Sequence, residues 1–198
     1  MTTTVFFVRH GSHDRLDHVL CGRMEGVGLG EQGRKEATRA AERLKAEKIA
    51  ALYVSPLQRA METADPIAGA LGLKRIEAEA LNEIDVGEWT GARFEDLRHH
   101  PAWEPWNRDR SQHRAPGGES MLEVQARVAR WLADVAERRP DEHVAAVCHS
   151  DVIKAGLCYA LGLSLDHHSR IEISPGSISV VLAGAWGLKV HSVNEVPR

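Results

Sequence analysis

The sequence predicts an α/β domain with three layers, in which helices cover both faces of a mainly parallel central sheet and a helical lid is inserted over about residues 82–118. Short apolar runs alternate along the chain with longer amphipathic stretches, which is the pattern of such domains. The chain has 198 residues, of which 43% are hydrophobic and 27% are charged. This length and composition predict one globular domain over residues 1–198.

The first elements alternate between strand and helix. Residues 5–8 are an apolar run and form the first predicted strand. The segment 30–48 spaces its apolar residues by three and four between charged positions, which predicts an amphipathic helix that Gly30 begins. Residues 50–54 then form the second predicted strand.

A strong helix start follows at Ser55-Pro56-Leu57-Gln58. Serine is a favoured N-cap, proline suits the first helical position, and glutamine three residues after the cap completes a capping box. We expect this helix to run to about Leu71 and to end at Gly72, with a short strand over 74–77 after it.

The second half opens on the loosely patterned lid. Its residues Trp103 and Trp106 are more often lid anchors than substrate contacts. Ser120 and Glu123 form another capping box, at the start of a helix that ends near Pro140. The apolar patterns that follow predict these further elements: a strand over 144–148, a helix over 149–161, and strands over 169–173, 177–182 and 188–193. The last strand could pair across a homodimer.

Composition and terminal sequence exclude several functional classes. With 25 Lys and Arg against 28 Asp and Glu, the net charge is −3 and no basic block is present, which argues against nucleic-acid binding. The N-terminus lacks a basic region and a long apolar run, so we expect neither a signal peptide nor a membrane anchor. Three widely spaced cysteines indicate a reducing cytoplasm, and no metal-binding motif or other cofactor signature occurs.

Two histidines, His10 and His149, each follow a buried strand directly. Because ligands of open α/β sheets bind at the carboxyl ends of the strands, both imidazoles could meet at one edge. Arg9 precedes the first of them, and Arg59 lies in the first turns of the helix after Ser55. Helix N-termini and guanidinium groups bind anions, so this set of residues would suit a phosphate dianion.

Each of these features is weak alone, because a histidine at a strand end is more often a hydrogen-bonded structural residue. Their order and spacing over nearly the whole chain nevertheless resemble the histidine phosphatase superfamily, the phosphoglycerate-mutase-like clan. The segments that carry the resemblance are Arg9-His10-Gly11, Gly22-Arg23, residues 29–34, residues 55–64, Leu81-Asn82-Glu83, residues 87–91, residues 116–120 and residues 149–155.

The resemblance implies a phosphoryl transfer in two steps. His10 would be the nucleophile that forms a phosphohistidine. Arg9, Arg59 and His149 would hold the phosphate oxygens. Glu83 would give a proton to the leaving alcohol and then act as base for water, which requires a raised carboxyl pKa and a neutral His10.

The chain departs from the family pattern in two places. The loop after His10 lacks the asparagine that in many members touches the phosphate, and Ser12 or Arg23 could substitute for it. Ser150 follows His149 where glycine is usual, and its backbone N–H can still face the phosphate. The charged side chains of the lid could guide an anionic substrate or form a solvated surface; they are His99, His100, Arg108, Arg110, His113 and Arg114.

These observations predict a metal-independent phosphatase acting on a small phosphorylated metabolite. The alternative enzyme is a cofactor-dependent phosphoglycerate-mutase-type isomerase. Such mutases usually carry more sequence over the pocket to exclude water, whereas this chain ends at Arg198 soon after a strand, so we expect water to reach the phosphohistidine. The alternative outside the enzymes is a module that binds phosphate without turnover, because fold alone does not determine function.

Overall fold

The central sheet contains six strands in the computed structural model, which describes residues 1–198. The strands are β1 (Thr3–Arg9), β2 (Ile49–Val54), β3 (Arg75–Glu77), β4 (His143–Cys148), β5 (Ile178–Gly184) and β6 (Gly187–Glu195). They lie in the order β3-β2-β4-β1-β5-β6. The first four of this order pair in parallel, whereas β5 and β6 are antiparallel. The prediction of a mainly parallel sheet is therefore confirmed.

Helices cover both faces of the sheet. They are α1 (Glu31–Leu44), α2 (Gln58–Leu71), α3 (Phe94–Leu97), α4 (Trp103–Arg108), α5 (Met121–Arg138) and α6 (Ser150–Leu161). Phe6 and Val8 pack with α1 and α2, whereas Val5 and Phe7 pack with α5 and α6. This alternation along β1 produces the three predicted layers. None of these helices combines the length and hydropathy that crossing a membrane requires.

Local signals set the start of α5 and the end of α2. Ser120 caps α5, since its hydroxyl accepts from the Glu123 N–H at 3.3 Å while the Glu123 carboxylate accepts from the Ser120 N–H at 2.7 Å. The capping box predicted there is thus confirmed. Gly72 follows α2 with φ +66°, a left-handed conformation that glycine adopts without steric cost.

Two local predictions are wrong. The N-cap of α2 is Leu57 and not Ser55, because the Ser55 side chain instead contacts a histidine at the sheet edge. The predicted strand over 169–173 is not formed. Its first residues belong to a 3-10 helix over Leu165–Arg170, which Ser164 caps by accepting from the Asp166 N–H at 3.2 Å.

The lid segment 82–118 contains two short helices, α3 and α4, and an aromatic cluster. Trp103 stacks on Trp106 with ring centroids 5.3 Å apart, and Trp89 meets Trp106 edge-on at 5.5 Å. Trp106 is only 2% exposed and belongs to the main hydrophobic core. The expected anchoring role therefore holds for this tryptophan.

Helix α1 packs very closely against the loop that follows β1. A Cβ atom on Gly33 would lie 2.0 Å from the Ser12 carbonyl oxygen, and one on Gly11 would lie 2.4 Å from the Gly33 carbonyl oxygen. The Gly11 N–H also donates to the Thr63 hydroxyl of α2 at 3.0 Å. Contacts from both helices thus fix the loop directly after His10.

We expect Gly33→Ala to lower the free energy of unfolding by about 1–3 kcal/mol, because the added methyl group overpacks this contact. Gly69→Ala is the matched control, since its Cβ on α2 would meet no atom within 4 Å. That substitution should raise the free energy of unfolding by about 0.5–1 kcal/mol, as alanine favours helix. Urea denaturation measures both values, and equal effects would contradict the packing argument.

Candidate active site

Three neighbouring strands end at the same edge of the sheet. Val54 at the end of β2 pairs with Val147 of β4, and Arg9 at the end of β1 pairs with Cys148 of β4. The next residues of the three strands are Ser55, His149 and His10. The two imidazole rings lie with centroids 5.1 Å apart, as expected from the strand ends.

The backbone determines which nitrogen of His10 keeps a free lone pair. Nδ1 lies 2.8 Å from the Gly11 carbonyl oxygen. A carbonyl oxygen can only accept, so Nδ1 carries the proton and Nε2 keeps its lone pair. Burial, together with Arg59 and Arg9, holds the pKa of His10 well below its usual value. The ring is therefore neutral near pH 7, which leaves Nε2 free to attack.

Arg9 and Arg59 supply positive charge beside the His10 ring. The Arg9 Nη1 donates to the Ile173 carbonyl oxygen at 2.6 Å, and the Arg59 Nη2 donates to the Gly22 carbonyl oxygen at 2.7 Å. Burial lowers the pKa of both guanidinium groups, while Glu83 acts in the opposite direction. The Nε atoms of both side chains and Nη1 of Arg59 are buried without a partner. Each arginine is thus held by one carbonyl and keeps hydrogen-bonding capacity for an anion.

Glu83 faces His149 from the segment after β3. Its Oε2 lies 3.9 Å from the His149 Nδ1. Burial, reinforced by the Asp151 carboxylate and opposed by Arg59, raises the pKa of Glu83 to about 7. A carboxyl group with this pKa can give a proton in one step and accept one in the next near neutral pH. The raised pKa expected from the sequence is confirmed in direction.

His149 is fully buried, and its ring is oriented by Ser55. The His149 Nε2 lies 2.8 Å from the Ser55 hydroxyl, while its Nδ1 has no partner. Burial and Arg59 lower the pKa of His149 well below its usual value, so the ring is neutral. If the hydroxyl donates to Nε2, the proton of the neutral ring lies on Nδ1 and points to the His10–Glu83 side.

We expect Ser55→Ala to weaken binding of inorganic phosphate about tenfold, because the His149 ring loses the partner that fixes its tautomer. Ser12→Ala is the control, since that hydroxyl faces away from the cleft. Isothermal titration calorimetry at neutral pH measures both affinities. Unchanged binding in Ser55→Ala would show that the tautomer is set by other groups.

Two of the predicted phosphate contacts have other partners. Both the N–H and the hydroxyl of Ser12 donate to the Glu36 carboxylate of α1, at 2.8 and 2.9 Å. Arg23 donates from Nε to the Glu83 carbonyl oxygen at 2.9 Å and pairs with Glu119 at 3.2 Å. Arg23 thus holds the backbone of Glu83 and does not line the cleft, whereas Ser150 at the start of α6 does line it.

His13 was not singled out from the sequence, yet it lines the cleft beside His10. The two rings stack with centroids 5.5 Å apart and an interplanar angle of 27°. Burial, with contributions from Arg59 and Arg9, lowers the pKa of His13 to about 4. Its Nδ1 is buried without a partner. The ring is therefore a neutral third imidazole at the site.

Arg110 is the one lid arginine that enters the cleft. Its guanidinium carbon lies 3.4 Å from the centroid of the Trp106 ring, and its Nη1 lies 3.4 Å from the Asp151 Oδ2. Arg108 and Arg114, the other two lid arginines singled out from the sequence, are exposed. Charge composition alone could not show which of these three arginines enters the cleft, because this depends on which side chain is buried under the lid.

One cleft of about 280 Å³ is lined by Arg9, His10, His13, Arg59, Glu83 and Arg110. The buried His149 is not part of this lining, and its ring centroid lies 5.1 Å from that of His10. The buried side-chain N and O atoms without a partner belong, apart from those of His149 and Ser177, to residues that line the cleft: Arg9, His13, Arg59, Trp106 and Arg110. No group of three or more His, Cys, Asp or Glu side chains is placed to hold a metal ion. A cleft that combines unpartnered buried donors with a neutral imidazole suits the binding of an anionic group.

Comparison with known proteins identifies the family. The sequence model of the histidine phosphatase superfamily (branch 1) matches residues 5–196. Phosphoserine phosphatase 1 of Hydrogenobacter thermophilus is 32% identical over 165 residues, which cover 81% of this chain and 78% of that protein.

A second relative carries the name of a mutase. The 2,3-bisphosphoglycerate-dependent phosphoglycerate mutase of Brucella anthropi is 33% identical over 189 residues, covering 89% of this chain and 90% of that protein. Among solved structures, YhfR of Bacillus stearothermophilus superposes with a TM-score of 0.92 at 26% identity, over 98% of each chain. The protein belongs to the histidine phosphatase superfamily.

Proposed function

We propose that this protein hydrolyses a small phosphate monoester through a phosphohistidine at His10. The observation that carries the proposal is the geometry of that residue: the Gly11 carbonyl fixes its tautomer, and residues with unpartnered buried donors line the same cleft. The similarity to a phosphoserine phosphatase supports the same class of substrate. From that relative we carry over the class, a small phosphorylated metabolite, and not the individual compound.

In the first step, the His10 Nε2 attacks phosphorus and the bond from phosphorus to the alcohol oxygen breaks. Glu83 gives its proton to that oxygen, so the alcohol leaves as a neutral molecule. Arg9, Arg59 and His149 donate hydrogen bonds to the phosphoryl oxygens as their charge rises. In the second step, the Glu83 carboxylate takes a proton from water, the water oxygen bonds to phosphorus, and His10 is released with inorganic phosphate.

We assign the missing asparagine contact to His13. Its ring is neutral and stacked on His10, and it borders the cleft. Its Nδ1 is buried, so Nε2 is the nitrogen that reaches the cleft. An Nε2–H group there would donate to a phosphoryl oxygen, as the amide of an asparagine would. The contacts of Ser12 with Glu36 support His13 over Ser12 in this role.

The second candidate is the mutase. It would share the first step and differ only in passing the phosphoryl group to a second alcohol instead of water. The relative named as a mutase aligns with this chain over 90% of its own length. The expectation that a mutase would carry more sequence than this chain therefore does not separate the two activities. The fate of the phosphoryl group on His10 decides between them.

The proposal also includes a cytoplasmic location and a homodimer. Three cysteines, Cys21, Cys148 and Cys158, are buried and unpaired, as suits a reducing compartment. Strand β6 lies at the edge of the sheet, where a second chain could pair with it.

The deciding experiment follows phosphate release from para-nitrophenyl phosphate with and without a chelator, and then from phosphoglycerate supplied with its bisphosphate. We expect turnover that resists the chelator and releases inorganic phosphate from each ester. Interconversion of phosphoglycerate isomers without phosphate release would establish the mutase. Phosphate binding without any turnover would establish a binding module, and turnover that the chelator abolishes would refute the histidine mechanism.

A further inference from the structure

Part of the lining of the cleft is apolar. We call it the distal wall and define it by five half-buried side chains that line the cleft: Leu16, Val19, Leu20, Phe94 and Trp103. In the family the loop after the nucleophilic histidine often carries a polar asparagine, whereas here it presents Leu16 to the cleft. None of the five side chains carries a charge or a hydrogen-bonding group, apart from the indole N–H.

Backbone hydrogen bonds join the two segments that form the distal wall. The Leu20 N–H donates to the Ala92 carbonyl oxygen at 2.9 Å, and the Phe94 N–H donates to the His18 carbonyl oxygen at 3.1 Å. Trp103 packs on Trp106, which is itself in the core. The wall is therefore a formed surface before any ligand arrives, which reduces the ordering cost of binding.

The phosphate alone uses up the positive charge that the cleft can offer. Three guanidinium groups line the cleft, those of Arg9, Arg59 and Arg110, against two carboxylates, Asp17 and Asp151, when Glu83 is protonated as the acid. The excess of one positive charge is smaller than the charge of a phosphate dianion. A second anionic group on the alcohol would therefore find no uncompensated cation in the cleft.

Arg110 is the cation that the lid contributes to the cleft, and it is already engaged. It pairs with Asp151 and stacks on the Trp106 ring. Asp151 in turn keeps a pKa below its usual range, since Arg110, His168 and Lys154 outweigh the effect of burial. An anion at Arg110 would face this carboxylate, which disfavours a carboxylate or second phosphate on the substrate.

We propose that the natural substrate is a phosphate monoester of an uncharged, largely apolar alcohol, which packs against the distal wall. This inference rests on the phosphatase function proposed above and adds the chemical class of the leaving alcohol. It separates this chain from the relatives whose names give phosphoserine or bisphosphoglycerate, both of which carry further charges.

The test compares three alkyl phosphates whose alcohols are all poor leaving groups, so that leaving-group chemistry does not set the order. They are phenylethyl phosphate, glycerol phosphate and phosphoserine, which carry an apolar, a polar uncharged and a charged alcohol. We expect kcat/KM for phenylethyl phosphate to exceed that for phosphoserine about 10- to 100-fold, from the apolar area removed from water. A preference for phosphoserine, or equal values, would overturn the inference and leave the phosphatase function standing.

Variants of the wall locate the source of the preference. Leu16→Asn and Phe94→Ala should each reduce the ratio of kcat/KM for phenylethyl phosphate over phosphoserine. Trp186→Ala is the matched control, because this residue is 54% exposed and lies in the turn between β5 and β6. Ratios that stay unchanged in both wall variants would overturn the inference. If no ester is hydrolysed and no phosphohistidine forms, the proposed function itself fails.

Discussion

His10→Ala is expected to lower kcat for para-nitrophenyl phosphate by at least about 10⁴-fold, because removal of a covalent nucleophile removes the whole reaction path. Neither His149 nor His13 can replace it. The His149 Nε2 is occupied by Ser55, and its Nδ1, which carries the proton when Ser55 donates to Nε2, has no free lone pair to attack phosphorus. His13 reaches the cleft without a backbone contact that fixes its tautomer. Steady-state hydrolysis measures the loss.

A second readout separates loss of the nucleophile from loss of the fold. Rapid acid quench of the wild type should trap one phosphoryl group per chain, located by mass spectrometry on the peptide that contains His10. His10→Ala should trap none and still bind inorganic phosphate through Arg9 and Arg59. His191→Ala is the control, since this exposed histidine lies on β6. A phosphoryl group trapped on another residue in the wild type would refute the assignment.

The sequence could predict where His10 and His149 meet because that placement depends only on strand order. Both residues follow apolar runs, and the carboxyl ends of parallel neighbours share one edge of a sheet. Their pairing strands β1 and β4 are neighbours in register up to Arg9 and Cys148. The position of such groups is a property of the backbone, so no knowledge of side-chain partners is needed.

Side-chain direction could not be predicted in the same way. Ser12 turns to Glu36, a residue 24 positions later on another element. Arg23 turns to the Glu83 carbonyl, 60 positions later. Both are polar residues near the phosphate site in sequence, and tertiary partners decide whether they face it. Buried polar groups are hydrogen-bonded in the folded protein, and their partners can be residues far away in the sequence.

Ser55 shows the competition between a local and a long-range contact. As a helix cap it would contribute about 1 kcal/mol, which is the typical value for such a residue. The structure instead places its hydroxyl 2.8 Å from the His149 Nε2 and starts α2 at Gln58. A capping rule considers only residues close in sequence, so it includes the helix after Ser55 and leaves out His149. The departure from the rule coincides with the functional site, where local preferences are most often overridden.

Glu83→Gln is expected to reduce kcat for alkyl phosphates by about 10²–10⁴-fold, the usual contribution of a positioned general acid. Glutamine keeps the shape of the side chain and cannot give up a proton. The loss should be smaller for para-nitrophenyl phosphate, because its phenolate leaves without protonation. A matched control is Glu88→Gln, an exposed carboxylate five residues further along the chain.

The titration of Glu83 determines whether kcat/KM rises or falls with pH. The donor form of Glu83 is the protonated one, and its pKa is raised to about 7 by burial and Asp151. Above this pH the donor is lost, so kcat/KM for an alkyl phosphate should fall about tenfold per pH unit. Burial and the two arginines hold the pKa of His10 well below its usual value, so protonation of the nucleophile limits activity only in more acidic solution.

The pH profiles of Glu83→Gln and Glu88→Gln test the same proton donor independently of the loss in kcat. In Glu83→Gln the fall of kcat/KM above about pH 7 should disappear, because the group that titrates there is gone. In Glu88→Gln the fall should persist unchanged. If the alkaline limb survives in Glu83→Gln, the proton donor is a different group, and the role of Asp151 would then be tested by Asp151→Asn. A lost limb together with a large loss for alkyl esters and a small one for the aryl ester would fit only a proton donor at Glu83.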